Sequence, residues 1–239
     1  MAMTERQDLK LRVLDILSKN GVSFTYDDWK KYVDFLLQDE TKVNEAGVMQ
    51  EVAQKIDNAI PNGIYLVYAY GSVELFNENT AKPVEKVAGI GIKQGDWALV
   101  VDLHDQADGE KITLTTKKGS DTYKGYIDNY LDAVADWNGK DNTEHLKAIG
   151  LNERIKLSEK QYIPSVGEMY FIYMNLKAIN KALEFVGGTP IVRDWYWTST
   201  ECSAAYAWYL SLFSDGTVDG LSPKASGTLR VRAVSAFIL

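Results

Sequence analysis

Between Ile163 and Gly188 the sequence IPSVGEMYFIYMNLKAINKALEFVGG leaves the chain little choice. Ser165 and Glu168 have the S-x-x-E spacing of a capping box. The serine oxygen accepts from the N3 amide, and the glutamate accepts from the N-cap amide. Met169, Ile172, Leu176, Ile179, Leu183 and Val186 recur at three-to-four spacing, so one stripe of the helix must be buried. Gly187 and Gly188 supply a left-handed C-cap, and Pro190 prevents continuation. A long one-sided helix needs a second layer to pack on, and strand-like sequence flanks it on both sides. The predicted class is therefore α+β.

Upstream, Pro61-Asn62-Gly63 reads as a turn, after which Ile64, Leu66 and Tyr68 alternate with Tyr65, Val67 and Ala69. VAGIGIK, DWALVVDL and KITLTT follow, separated by Gly- or Asp-containing turns. A small antiparallel sheet is predicted across about 62–116. TKKGSDTYKGY is a loop, and helix resumes near Tyr123. Downstream come WYWTST, AWYLSLF, a turn from Ser214 to Thr217, and the terminal strand TLRVRAVSAFIL. In that strand Leu229, Val231 and Ala233 face one way, and Arg230 and Arg232 the other.

Residues 1–60 read as helical. Leu9, Val13, Ile16 and Leu17 share a face, as do Trp29, Val33, Leu36 and Leu37, and later Val48, Val52, Ile56 and Ala59. A small bundle is the preferred reading. A coiled or trimeric stalk is the alternative, although three sustained heptads are not visible. The predicted organisation is a helical assembly region over 1–60, a small β-rich domain over 61–120 and a ligand-binding domain over 121–239.

Charge and composition narrow the function. The net charge is −7 with no dense Lys/Arg block, which argues against binding nucleic acid or anionic membrane. The single Cys202 permits no internal disulfide. With only His104 and His145 beside it, a zinc cluster is not expected. The start shows no basic segment followed by an apolar run, so no signal peptide is read, and synthesis in the cytoplasm is expected. No apolar stretch approaches the roughly 18 residues of a membrane span.

Catalytic motifs are weak. GIGIKQG, from Gly89 to Gly95, has glycines but no following helix, unlike a phosphate-binding loop. Ser199 lacks the G-x-S-x-G context. DLHDQADGE, from Asp102 to Glu110, gathers carboxylates without EF-hand spacing and reads as a solvated acidic turn. His145 is expected on a helix, exposed or half-packed. Cys202 reads as a small filler.

The stretch from Asp194 to Gly220 sets Trp195, Trp197 and Trp208 among Ser, Thr, Ala, Tyr and Asp. Buried aromatics dominate packing area, so the three tryptophans are expected in the core. On AWYLSLF, Trp208, Leu210 and Leu212 share one face, and Tyr209, Ser211 and Phe213 the other. A surface of Tyr, Ser, Gly and Asp has the composition of a binding face.

In this order, YIPSVGEMYFI, YWTSTE, AWYLSLFSDGTV and RVRAVSAF resemble the bacterial C-type-lectin-like domains related to the formylglycine-generating enzyme. The corresponding positions here are Tyr162–Ser165, Tyr196–Glu201, Ala207–Gly216 and Arg230–Val234. ADWNGKDNT is similar to the segment leading into that domain's first helix. The resemblance spans roughly Tyr123 to Leu239. Versions from gut Bacteroides-type bacteria and their phages are most similar, including the variable proteins of diversity-generating retroelements.

In those variable proteins the segment between the second and last motifs is the diversified, ligand-facing surface. The resemblance thus implies a surface drawn from Cys202, Ser203, Ala205, Tyr206, Tyr209, Ser211, Phe213, Ser214, Asp215, Thr217, Asp219, Leu221, Lys224, Ser226 and Thr228. TKVNEAGVMQEVAQKIDN is similar to helical repeats of phage tail fibres, which implies a homo-oligomer, a trimer, through the N-terminal region. The enzyme branch works with cysteines, and calcium-dependent lectins with E-P-N or Q-P-D and W-N-D. Neither set occurs here. The implied function is noncatalytic binding, without cofactor or metal, of a cell-surface protein or glycan, by a protein carried in a phage or phage-like particle. The alternatives are a structural subunit of a phage tail or fibre, and a degenerate relative of the enzymes.

Overall fold

The computed structural model describes residues 61–237 apart from 70, 78, 84, 85 and 214–219. The expected N-terminal helices and their oligomer-forming stripe at Val48, Val52 and Ile56 lie outside the described residues. From Asn62 onward the described residues belong to one compact unit. It is a mixed α+β fold.

The strands are β1 (Gly63–Tyr68), β2 (Val73–Leu75), β3 (Val87–Gln94), β4 (Trp97–Asp105), β5 (Gln161–Tyr162), β6 (Trp195–Glu201), β7 (Tyr206–Ser211), β8 (Leu221–Pro223) and β9 (Arg232–Ala236). The helices are α1 (Tyr130–Val134), α2 (Gly139–Ile149), α3 (Val166–Met174) and α4 (Leu176–Val186). A six-stranded antiparallel sheet has the order β2-β1-β3-β4-β9-β5, and a three-stranded one the order β6-β7-β8.

The larger sheet corrects the expected domain division. β4, from the stretch taken as a separate β domain over 61–120, pairs with the terminal strand β9, with Val101 opposite Val234. Arg232 reinforces the junction. Fully buried, it donates from Nε to Asp105 Oδ1 at 2.6 Å, from Nη1 to Asp102 O at 2.9 Å and from Nη2 to Thr189 O at 2.9 Å. The Arg232 charge, expected on the face opposite Val231 and Ala233, is a buried clamp, and 61–120 and 121–239 share one fold.

GIGIK forms the middle of β3. An added Cβ at Gly91 would meet Phe237 Cε2 at 2.1 Å, and one at Gly89 would meet Val101 O at 2.8 Å. The glycines let neighbouring chains approach, which leaves no phosphate loop. KITLTT, predicted as a strand, makes only isolated bridges, Ile112 to Leu229 and Thr115 to Leu151.

The predicted long helix is two helices. The capping box is present, with Ser165 N–H donating to Glu168 Oε2 at 2.7 Å and Glu168 N–H donating to Ser165 Oγ at 3.4 Å. The chain breaks at Asn175 (φ −106, ψ 6), whose side chain donates to Phe171 O at 2.9 Å. Met169, Ile172, Ile179 and Leu183 remain on one buried stripe. Gly187, at φ 79, is the left-handed C-cap. Ser165 Oγ also donates to Asp136 O at 2.7 Å, which ties the cap to the turn before α2. Ser165→Ala is expected to lower stability by about 1–2 kcal/mol in urea unfolding.

One hydrophobic cluster joins the larger sheet to α3, α4 and the Tyr196, Trp208 and Leu210 side of β6-β7. A second contains Trp197, Ala207, Ile112, Leu114, Leu146 and Val231. No helix among the described residues is long and apolar enough to cross a membrane.

Candidate functional site

Strand alternation distributes the aromatic stretch between these two clusters. Tyr196, Trp208 and Leu210 enter the first, and Trp197 and Ala207 the second, with Tyr209 half-buried against it. Both faces of β6-β7 are therefore covered over most of their length. The expected free face, opposite Trp208, is corrected: Ser211 is 3% exposed there.

The residues predicted to form the binding surface do not come together. Tyr206 and Tyr209 are three apart on one strand and point to opposite faces. Tyr206 and Leu221 are exposed on the Trp208 side, where Leu221 pairs with Trp208. Cys202, Ser203 and Ala205 are half-buried in the tight turn before β7, where the amides of Cys202 and Ser203 donate to Tyr206 O. Ser226 and Thr228 are exposed after β8. Ser214, Asp215, Thr217 and Asp219 lie outside the described residues. Lys224 is fully buried, a direct correction.

Lys224 is inside because it has a partner there. Its Nζ donates to Glu201 Oε1, and the other oxygen of Glu201 is hydrogen-bonded to His145 Nδ1. The His145 ring stacks on Tyr123 at 3.6 Å between centroids, and Lys224 Nζ stands 5.8 Å from the Tyr126 ring centroid. Asp136 is equally enclosed. It accepts from the Asn138 amide at 2.9 Å, from Asn142 Nδ2 at 2.7 Å and from Thr200 Oγ1 at 2.6 Å. Burial, and then the charge of Asp128, hold the Cys202 thiol above its ordinary pKa. Ser199 Oγ is buried without a hydrogen-bond partner among the described residues.

A smaller surface does assemble, at the end of the β6-β7 ladder where Trp195 pairs with Ser211. Trp195, expected in the core, is 42% exposed. Its ring meets Phe213 edge-on at 6.0 Å and Tyr209 at 6.3 Å. Phe213 is 43% exposed. Lys111 Nζ lies 5.5 Å from the Trp195 ring centroid and 2.8 Å from Asp194 Oδ1. Arg230 Nε donates to Asp194 Oδ2 at 2.9 Å. Tyr209 and Phe213 were predicted members. Trp195 was legible as the first residue of its strand, where covering layers end. Lys111 and Arg230 come from distant segments with no local signal.

Burial raises the Asp194 pKa, but hydrogen bonds from Lys111, the Trp195 amide and Arg230 outweigh it and hold the carboxyl below its ordinary value. Its charged form therefore stabilises the fold above the unfolded pKa of about 3.9. That contribution disappears as pH falls through the lower folded value. Melting curves of the wild type and Asp194→Asn should converge on acidification below about pH 4.

No protein-family model matches the chain, and no curated protein matches it. Among solved structures the chain is similar to a fimbrial protein from Bacteroides ovatus, with 17% identity and a TM-score of 0.50. The match covers 74% of this chain and 49% of that one. The chain thus spans about half the length of that protein, and the likeness is one of fold.

Proposed function

We propose that the unit from Asn62 onward is a noncatalytic, C-type-lectin-like binding module whose contact surface is the patch of Trp195, Tyr209 and Phe213. Its ligand is a cell-surface protein or glycan. The observation that carries this reading is the exposure of Trp195 and Phe213 beside each other, at 42% and 43%, on a sheet that buries Tyr196, Trp197 and Trp208. Covering apolar surface contributes about 25 cal/mol per Å². Trp, Tyr and Arg are also the residue types that dominate binding hot spots.

The lectin-like assignment is supported by the way the four resembling segments bond to one another. Ser199 N–H donates to Pro164 O at 2.8 Å, Thr198 Oγ1 to Trp208 O at 2.8 Å and Trp197 N–H to Arg230 O at 2.9 Å. The noncatalytic reading is supported by the engagement of Asp136, Glu168 and Glu201 in internal hydrogen bonds. Display on a phage or phage-like particle rests on the sequence resemblance.

The test is binding of the full chain to a glycan array and to intact bacterial cells. Trp195→Ala should weaken binding about tenfold or more, since hot-spot truncations cost about 2 kcal/mol, while Tyr206→Ala should leave it unchanged. Equal binding by wild type and Trp195→Ala would sink the proposal. The fold likeness to a fimbrial protein favours a second reading, a subunit of a surface fibre, in which the patch is covered between subunits. Trp195→Ala would then abolish assembly seen by light scattering.

A further inference from the structure

We infer that the groove between α4 and the end of β7 docks an acidic peptide segment of a partner protein, anchored by apolar side chains. This surface is separate from the proposed contact patch and shares only Phe213 with it. The groove has a volume of about 800 Å³, within the range of specific ligand sites. Ile191 and Leu212, both core residues, form part of its lining, and Met174, 70% exposed, stands at its edge. An unbranched, polarisable methionine adapts to varied apolar side chains.

Charge selects the occupant. The chain carries −7 overall, yet Lys177 and Arg193 stand on this groove, where the described lining residues also include Lys181 and Glu184. Lys177 and Arg193 are exposed and make no ion pair among the described residues. A ligand bearing carboxylates beside apolar groups satisfies both the floor and the rim. A sugar fits less well. The one amide among the described lining residues, Asn180, is engaged at both ends by the Ile191 backbone, donating at 2.8 Å and accepting at 2.8 Å. With that amide engaged, the cationic rim supplies the polar contacts, and it suits carboxylates better than neutral hydroxyls.

The test uses the full chain and fluorescence anisotropy with a labelled peptide, Asp-Glu-Leu-Phe-Leu-Glu-Asp. Three comparison probes accompany it: a Lys-flanked version, a version with a serine centre, and an oligogalacturonate. The acidic apolar peptide alone should bind, and more weakly as salt rises. Lys177→Glu with Arg193→Glu should weaken it at least about tenfold, and the milder Lys177→Gln with Arg193→Gln should weaken it less. Both double variants should leave binding to the glycan array and to cells unchanged, so this idea and the patch reading fail separately. Absence of saturable binding would overturn the proposal. So would equal binding of the Lys-flanked or serine-centred peptide, capture of the oligogalacturonate instead, or indifference to both double variants.

Discussion

Lys224→Ala is expected to lower the stability of the unit by about 3–5 kcal/mol, the range for stripping one partner from a buried ion pair. The lysine is fully buried, and Glu201 is 4% exposed. Removing the ammonium leaves a carboxylate held, among the described residues, by His145 alone, in a site walled by Tyr123 and Tyr126. Water cannot restore the lost solvation without opening that wall. The backbone role of residue 224 would survive, since its carbonyl still accepts from Leu114 at 2.9 Å and Thr115 at 3.1 Å. Lys224→Met keeps most of the aliphatic stem and isolates the charge contribution. Pairing it with Glu201→Leu should recover most of the loss, because replacing both charges removes the uncompensated ion. Urea midpoints of the three variants measure this. A shift below about 1 kcal/mol for Lys224→Ala would match an exposed pair and return the lysine to the ligand surface.

What could be read from the sequence was local. The cap of α3 is visible because Ser165 and Glu168 are one turn apart, and the buried stripe because its period belongs to the helix itself. The break at Asn175 was hidden, since the apolar spacing runs through it. It depends partly on Gln94, whose amide donates to Asn175 Oδ1 at 2.8 Å from a separate strand. VAGIGIK was readable as a strand, but the need for glycine at Gly91 was not, because its reason, the ring of Phe237, lies at the other end of the chain. Lys224 was placed on the surface and Arg232 was given no partner, because Asp105 and Glu201 cannot be paired with them by spacing. The boundary expected at residue 120 followed a change in texture, while the hydrogen bonds crossing it join β4 to β9.

The site errors have a different origin. Tyr206 and Tyr209 could have been separated by counting along the strand, and were grouped by the family resemblance instead. Covering of the second face could not have been counted. It needs Ile112, Leu114 and Leu146, which come from a loop and a helix well before β6.

Trp197→Ala tests that second layer and is expected to cost about 3–5 kcal/mol from lost packing, as for other buried aromatic truncations. The indole is fully buried, and its Nε1 donates to Ile112 O at 2.8 Å. Truncation also removes one of the two hydrogen bonds to that carbonyl, which still accepts from the Leu229 amide at 3.1 Å, so the further loss is about 0.5–1.5 kcal/mol. For a unit of this size the melting temperature should fall by roughly 10 °C or more, at about 2–4 °C per kcal/mol. Trp197→Phe should retain much of the packing and lose the hydrogen bond, giving a smaller fall. Tyr206→Ala, at an exposed strand end, should stay within about 0.5 kcal/mol of the wild type. Tyr209→Ala should lie between, because its ring is half-buried against the same cluster. The order Trp197, Tyr209, Tyr206 follows from a sheet covered on both sides, open only at its aromatic end. A sheet with a free outer face would make Trp197→Ala and Tyr206→Ala equally mild, and that result would refute the two-layer account.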